Sequence, residues 1–418
     1  MDILNFISWI KGGRQVTTVD PSKTLLPVGL KDGRRDDGYL AGAITVTDFL
    51  NLVPSGLEGT SYILVNGKGT AEENGAELQA AYDAAKLATP YGNPLTYENR
   101  FTIFVAPGDY YSSYVDPVFG AIGQFIIDAD YIDIKSLSGN ADVNLSGISV
   151  SAYDVYLKGL NTKNAINVGG LQPGFNIKVN GANQIFDTCV GGDYSFGFGG
   201  DITGTFIDCT AGSFSFCSAD ISAPIGITPQ ISSPNLGGIL TNCTAAGASF
   251  GYSPNDFNTS VSGTLTNCKS KGESFGAVPG SYTGNITGIL TNCTAGEASF
   301  TIWGIISGTL TNCTSTGPNS FGGYVTSSAV FYNCIGSDNS FAGQFMQSFE
   351  GKAYNCIGGQ NTFGNMDIGP GAPLNFISAF IGGRVSYCTK TTGVFSGASS
   401  AGPNTVIACQ DLNGLQTF

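Results

Sequence analysis

Gly-Ile-Leu-Thr-Asn-Cys at Gly238–Cys243 returns as Gly-Thr-Leu-Thr-Asn-Cys at Gly263–Cys268, then as Gly-Ile-Leu-Thr-Asn-Cys at Gly288–Cys293 and Gly-Thr-Leu-Thr-Asn-Cys at Gly308–Cys313. Looser copies end at Cys334 and Cys356. A Phe follows most of these cysteines at a spacing of seven (Phe250, Phe275, Phe300, Phe341, Phe363), and Phe321 follows Cys313 at eight. Cys189 with Phe196, Cys209 with Phe216 and Cys388 with Phe395 extend the array in both directions. The steps between cysteines are mostly 20 to 25 residues, a period that marks a solenoid.

Each copy holds one short β-branched run, such as Ile239-Leu240-Thr241, followed by turn formers. None holds the ten or so residues of 3.6-residue periodicity that an amphipathic helix needs. Leucine-rich repeats carry several leucines per repeat, whereas here there is about one, among 60 glycines in the chain. The pattern therefore predicts short parallel strands, one coil per repeat, with coils about 4.8 Å apart. Identical positions then stack. Cys243, Cys268, Cys293, Cys313, Cys334 and Cys356 form an interior thiol column, reduced and acting as small hydrophobes. Phe250, Phe275, Phe300, Phe341 and Phe363 form a second interior column. Asn242, Asn267, Asn292, Asn312, Asn333 and Asn355 form a turn ladder of amides that hydrogen-bond along the axis.

On this pattern the chain, over roughly residues 60–418, resembles the right-handed parallel β-helix proteins of the pectate-lyase-like superfamily, and most of all phage tailspike and fibre proteins. The resemblance implies an all-β, right-handed parallel β-helix. It does not choose among lyases, hydrolases, tailspikes and inert adhesins. Three segments are expected. Residues 1–60 form an attachment and assembly segment, 61–111 a strand-helix-strand entry cap, and 112–418 the β-helix with its Asn-Cys-x6-Phe repeats. Tyr62–Val65, the Ala-rich run 74–88 with Asn74 as N-cap, and Phe101–Tyr110 compose the cap, which shields the first coil. Met1–Gly12 carries Ile3, Phe6, Ile7 and Ile10 on one helical face, suited to docking on its own oligomer or on a partner. Residues 13–60 read as irregular, with a charged turn at Lys31–Gly38, and Val28–Asp37 is similar to N-terminal segments of phage structural proteins. Cys209 to Cys243 and Cys356 to Cys388 are long steps, whose Pro-rich excess predicts protruding loops, with a short extra coil at Cys217.

Composition narrows function. A net charge of −13, with 18 basic against 31 acidic residues, argues against nucleic acid and anionic membranes as partners. No run of 18 apolar residues predicts a membrane span, and the N-terminus lacks a basic n-region and cleavage site. The absence of His excludes Ser-His-Asp and Cys-His catalysis and His-metal sites; with no CxxC pair either, no metal or cofactor is expected. Carboxylate pairs remain. Asp187, Asp193, Asp201 and Asp208 lie in adjacent coils, as do Glu273 and Glu297, and these are the candidates for a glycosidase. Trp303, Tyr252, Tyr282 and Tyr324 are candidates for stacking on sugar rings. Asn-x-Ser/Thr occurs at Asn242, Asn292 and Asn312, where ladder pairing predicts inaccessible amides. The leading expectation is a virion-associated, extracellular phage fibre or spike, a homotrimer attached to the virion through residues 1–60 and adhering to a host surface or glycan. Its rivals are a tailspike-type polysaccharide hydrolase and a subunit of a cellular extracellular filament.

Overall fold

A computed structural model describes residues 25–31, 39–45, 61–112, 123–162, 174–177, 181–197, 201–217, 234–252, 258–276, 284–301, 304–322, 324–341, 349–359, 362, 384–386, 388–390, 406–407, 409–411 and 414–416. Calls on Met1–Gly12, Trp303, Tyr282, Phe363, Phe395 and the two Pro-rich loops fall outside these residues. The chain clusters into two units, Met1–Ser61 with Ala88–Pro94, and Tyr62–Leu87 with Leu95–Phe418.

In the first unit, Leu25–Lys31 and Tyr39–Thr45 form an antiparallel pair running from Leu25 opposite Thr45 to Lys31 opposite Tyr39. This corrects the irregular reading of that stretch. Pro27 and Gly29 interrupt the first strand's apolar run and hid its periodicity.

The second unit is built on one sheet of fourteen parallel strands whose order follows the chain, from Tyr62–Val65 to Val406–Ile407. Leu240 pairs with Leu265, Leu265 with Leu290, Leu290 with Leu310, Leu310 with Phe331 and Phe331 with Ala353, all without a slip. A second parallel sheet runs beside it through Asn235–Leu236, Thr259–Val261, Gly284–Ile286, Ile305–Ile306 and Tyr324–Val325. A third follows each cysteine as short strands and single bridges, including Thr244 to Lys269, Lys269 to Thr294, Thr314 to Ile335 and Ile335 to Ile357. The chain thus visits second, long and third sheet in turn and pairs each strand with its counterpart one circuit on. That recurrence is the topology a parallel solenoid needs. Cys209 and Cys243 flank directly paired strands, Thr210–Ala211 on Thr244–Ala245, so Cys217 adds no extra coil.

The interior is a set of columns. Phe175, Phe196, Phe216, Phe250, Phe275, Phe300, Phe321 and Phe341 stack with successive centroids 4.6–5.0 Å apart. In the long sheet, Phe186, Phe206 and Phe331 take the inward position held by Leu at Leu240, Leu265, Leu290 and Leu310, and meet this column edge-on. Each column Phe from Phe196 to Phe341 has φ of +51° to +59°, left-handed backbone that a bulky residue enters at a cost. The chain turns there because the ring is drawn into the stack. One residue earlier, Ser195, Ser215, Ser249, Ser274, Ser299, Ser320 and Ser340 form a buried column. The hydroxyls of Ser215, Ser249, Ser274 and Ser320 accept from the serine N–H of the preceding coil, and Ser340 Oγ is buried without a partner.

The ten cysteines with described side chains are all free and buried. From Cys189 to Cys334 each column thiol donates to a carbonyl one coil back, as Cys268 does to Leu240 and Cys313 to Leu290. Burial pushes the Cys209 and Cys334 thiols well above their ordinary range, so they remain protonated and unreactive. Counting thiols after unfolding without reductant should find them free. Cys268→Ala should be mild. Cys268→Ser should cost about 1–3 kcal/mol in a urea melt, because the shorter hydroxyl falls short of the Leu240 carbonyl 3.6 Å from the sulfur.

The asparagine ladder has the expected partners, each Nδ2 donating to the Oδ1 one coil earlier: Asn267 to Asn242, Asn292 to Asn267, Asn312 to Asn292, Asn333 to Asn312 and Asn355 to Asn333. All six have left-handed φ, which Asn tolerates. They are paired but exposed, which corrects the expectation of inaccessible amides. Asp208 heads the ladder and accepts from Asn242 at 2.8 Å. A second, shorter ladder has the same form, Asn161 to Asn144 to Asp109. A head residue needs only to accept, and a carboxylate does only that.

The helix spans Ala71–Lys86. Thr70, not Asn74, is its N-cap: Thr70 Oγ accepts from the Glu73 N–H and Glu73 reaches back to the Thr70 N–H, a capping box. Asn74 is buried inside the first turn, bonded to Gly69 and to the Asp109 carbonyl. Leu78 and Tyr82 lie against Phe125, Ile127, Ile134, Leu145 and Ile148, so the helix covers the apolar interior of the first circuits.

Candidate functional site

Between the third sheet and the Ser-Phe pair every circuit makes a turn, and stacking these turns cuts an open groove of about 580 Å³. Ser213, Phe214, Gly247, Ala248, Lys271, Gly272, Glu273, Gly296, Glu297, Thr316 and Gly317 line it, one group from each of five consecutive circuits. Glycine forms its floor. At Gly296 and Gly317 a Cβ would lie 2.3 Å from the Lys271 carbonyl oxygen and the Glu297 Cβ, so close packing of coils demands glycine. At Gly247 and Gly272 the nearest atoms to a Cβ are 3.9 and 3.6 Å away, and the missing side chains leave space. Glu273 and Glu297 line this groove from adjacent circuits, and Lys271 lies on the same turn as Glu273. Phe214 closes one end, half-buried and stacked on Tyr194 with centroids 5.2 Å apart. Carboxylates and ammonium supply hydrogen bonds to hydroxyls, and the ring supplies an apolar face. The set suits a polyhydroxylated ligand.

The four aspartates occupy different stations. Asp187 ends a long-sheet strand opposite Ile207, one residue from Asp208, so these two share a corner in adjacent circuits. Asp193 accepts from the Ser213 N–H at the turn, and Asp201 from the Asn235 N–H beside the second sheet. Asp187 belongs to a charged network on the outer face of the first circuits. It accepts from Lys158 at 2.8 Å and Tyr156 at 2.6 Å. Burial alone would raise its pKa, but hydrogen bonds from Lys158, Tyr156 and Thr188 outweigh that and hold it below the usual carboxylate range. A general acid needs the opposite shift. The network continues through Lys135, Asp133, Arg100 and Asp154.

Of the aromatic candidates, Tyr252 is buried, tilted toward Phe214 at 6.1 Å, and Tyr324 donates its hydroxyl to Glu350. Phe214 and Lys271 were missed by sequence reasoning; the signal for Phe214 is its station beside the repeated Ser-Phe pair, matched one coil earlier by Tyr194. Among the described residues no group of His, Cys, Asp and Glu is placed to hold a metal ion, and no helix is long and apolar enough to cross a membrane.

No protein-family model matches the chain, and no curated protein matches it. Among solved structures, ORF18 of Geobacillus virus E2 is similar with a TM-score of 0.31 and 10% identity, over 94% of this chain and 70% of that one. A superposition that loose carries no argument.

Proposed function

We propose that the chain is a virion-associated fibre or spike protein, a right-handed parallel β-helix that assembles as a homotrimer, attaches through residues 1–60 and holds a host-surface glycan in its groove. The observation that carries the adhesive role is the groove itself, open across five circuits and floored by glycine, with Phe214, Lys271, Glu273 and Glu297 on its walls. Two acids to one base there, and a net charge of −13, favour a neutral glycan over an anionic one. Affinity electrophoresis through gels holding α-glucan, β-glucan, mannan or galactan should retard the protein in at least one of them. Gly272→Trp, which grows into the open strip, should abolish that retardation and leave the melting curve unchanged. No retardation by any neutral polymer, or an unaffected variant, defeats this reading.

Glu273 and Glu297 in one groove favour a second reading, a hydrolase using paired carboxylates. The adhesive reading expects no shortening of the bound polysaccharide. Shortening that Glu273→Gln abolishes would make the protein an enzyme.

Residues 1–60 fall wholly in the separate N-terminal unit. Their deletion should leave the melting of the coils nearly unchanged and remove incorporation into virions or higher assemblies. An insoluble or unfolded truncation would show that the segment belongs to the fold. Electron microscopy of the purified protein separates discrete spikes from the continuous filaments expected of a cellular surface polymer.

A further inference from the structure

The long sheet's inner face is filled by the columns, and its outer face carries two straight rows of side chains. Across four circuits the first row reads Ile239, Thr264, Ile289, Thr309 and the second Thr241, Thr266, Thr291, Thr311. All are exposed or half-buried. The six threonine hydroxyls make no hydrogen bond to any described residue. Neither row holds a charge. Gly238, Gly263, Gly288 and Gly308 precede the first row and the ladder from Asn242 to Asn312 follows the second, so no charged side chain borders the strip along these strands. The fold sets the spacing of this array. Within a row, neighbours stand one coil apart, about 4.8 Å, as the ring stack beneath them does at 4.6–4.9 Å. Between rows, the two outward residues of one strand are about 6.7 Å apart, twice the rise per residue.

We propose that this strip holds water in an ice-like lattice and binds the surface of an ice crystal. Water joined by tetrahedral hydrogen bonds of about 2.75 Å has second-neighbour oxygens about 4.5 Å apart and a layer repeat of about 7.3 Å. The mismatch is about 0.3 Å per step along a row and about 0.6 Å between rows, so the drift over four circuits stays near about 1 Å, below half a lattice step. Threonine suits such a lattice in two ways. Its hydroxyl donates once and accepts twice, and its methyl is enclosed by first-shell water without competing for hydrogen bonds. A charge would instead order a strongly held shell of its own. Both residue types in the strip are β-branched and stiff at χ1, so little freedom is lost when they are fixed against a lattice. The proposal is independent of the glycan reading, because the strip lies on the long sheet and the groove on the turn after the third.

Ice grown slowly from a dilute solution of the full chain tests this. The wild type should enter the ice at a fraction at least tenfold above that of an inert globular protein in the same solution, and a seed crystal should grow faceted rather than as a disc. Thr266→Lys with Thr291→Lys should return incorporation to the level of the inert protein, with circular dichroism and melting of the coils retained. Thr266→Tyr with Thr291→Tyr adds bulk without charge at a row position where Tyr332 already stands. That pair should have the same effect, and it keeps the test valid if the lysine pair fails to fold. Thr244→Lys, on the third sheet beside Lys269 one coil on, should leave incorporation unchanged. Exclusion of the wild type from ice to the same degree as the inert protein overturns the proposal. Incorporation that survives both double variants, or that Thr244→Lys abolishes equally, overturns the assigned face.

Discussion

Phe275→Ala should destabilise the protein by about 3–5 kcal/mol, toward the upper end of what a buried aromatic costs. The ring is wholly buried and stacked on Phe250 at 4.9 Å and on Phe300 at 4.8 Å, nearly parallel to both. Truncation removes two aromatic contacts worth about 0.5–1.5 kcal/mol each beyond the area they bury. It also opens a cavity that cannot close. The coils above and below are held by strand pairing in three sheets and by the serine and asparagine ladders, so neither can sink into the gap. Alanine keeps the unfavourable left-handed backbone at φ +57° while losing the stack that compensates for it. Urea denaturation followed by near-ultraviolet signals measures the loss, and hydrogen exchange should show it centred on the coils from Phe250 to Phe300. A change below about 0.5 kcal/mol, typical of a surface site, would place Phe275 outside the core.

Arg100→Ala is expected to cost about 3 kcal/mol. The guanidinium donates to Asp133 from two nitrogens and to Asp154 from a third, and those carboxylates are only 3% and 5% exposed. Breaking a buried pair from one side leaves a charge without its partner, which costs about 3–5 kcal/mol. The lower figure applies because Lys135 still reaches Asp133 at 3.0 Å and Arg100 is partly exposed. Arg100→Lys should recover only part of the loss, since one ammonium cannot replace a fork that spans two strands. Thermal melts of the three proteins give the comparison, and equal stability of Arg100→Ala and wild type would show the network to be solvated and inert.

The sequence made the repeat legible because the same side chains must return wherever coils stack. Gly-x-Leu-Thr-Asn-Cys fixed the strand, the turn and the two columns that flank them, and the thiol and amide columns, with the phenylalanine column from Phe250 to Phe341, stand where spacing put them. Asn74 was misplaced as a cap because a helix start is decided by local pairing, and Thr70 with Glu73, three residues apart, forms a reciprocal pair at the start of the first turn. The serine column escaped notice although every serine precedes a column Phe, because its partners are backbone N–H groups one coil away. The groove was half visible. Glu273 and Glu297 were seen as neighbours, but the open strip between them comes from side chains that glycine lacks, and no spacing of residue types reveals an absence. The rows along the outer face of the long sheet need the register itself, since Ile239 and Thr264 are 25 residues apart and meet only as strand partners.

The direction of the hydrogen bonds also has a mechanical consequence. Strand pairing and both amide ladders point along the long axis, from one circuit to the next. A pull applied at the two ends therefore loads those bonds in series, and the molecule should yield by peeling one circuit at a time from an end, each step releasing only that circuit's bonds. A push is borne differently. Compression drives rings already in contact at 4.6–5.0 Å against one another, and close-packed interiors resist that strongly. A stack of coils built this way transmits thrust well and tension poorly, so a joint that must bear tension belongs at the side of the stack and not at its end.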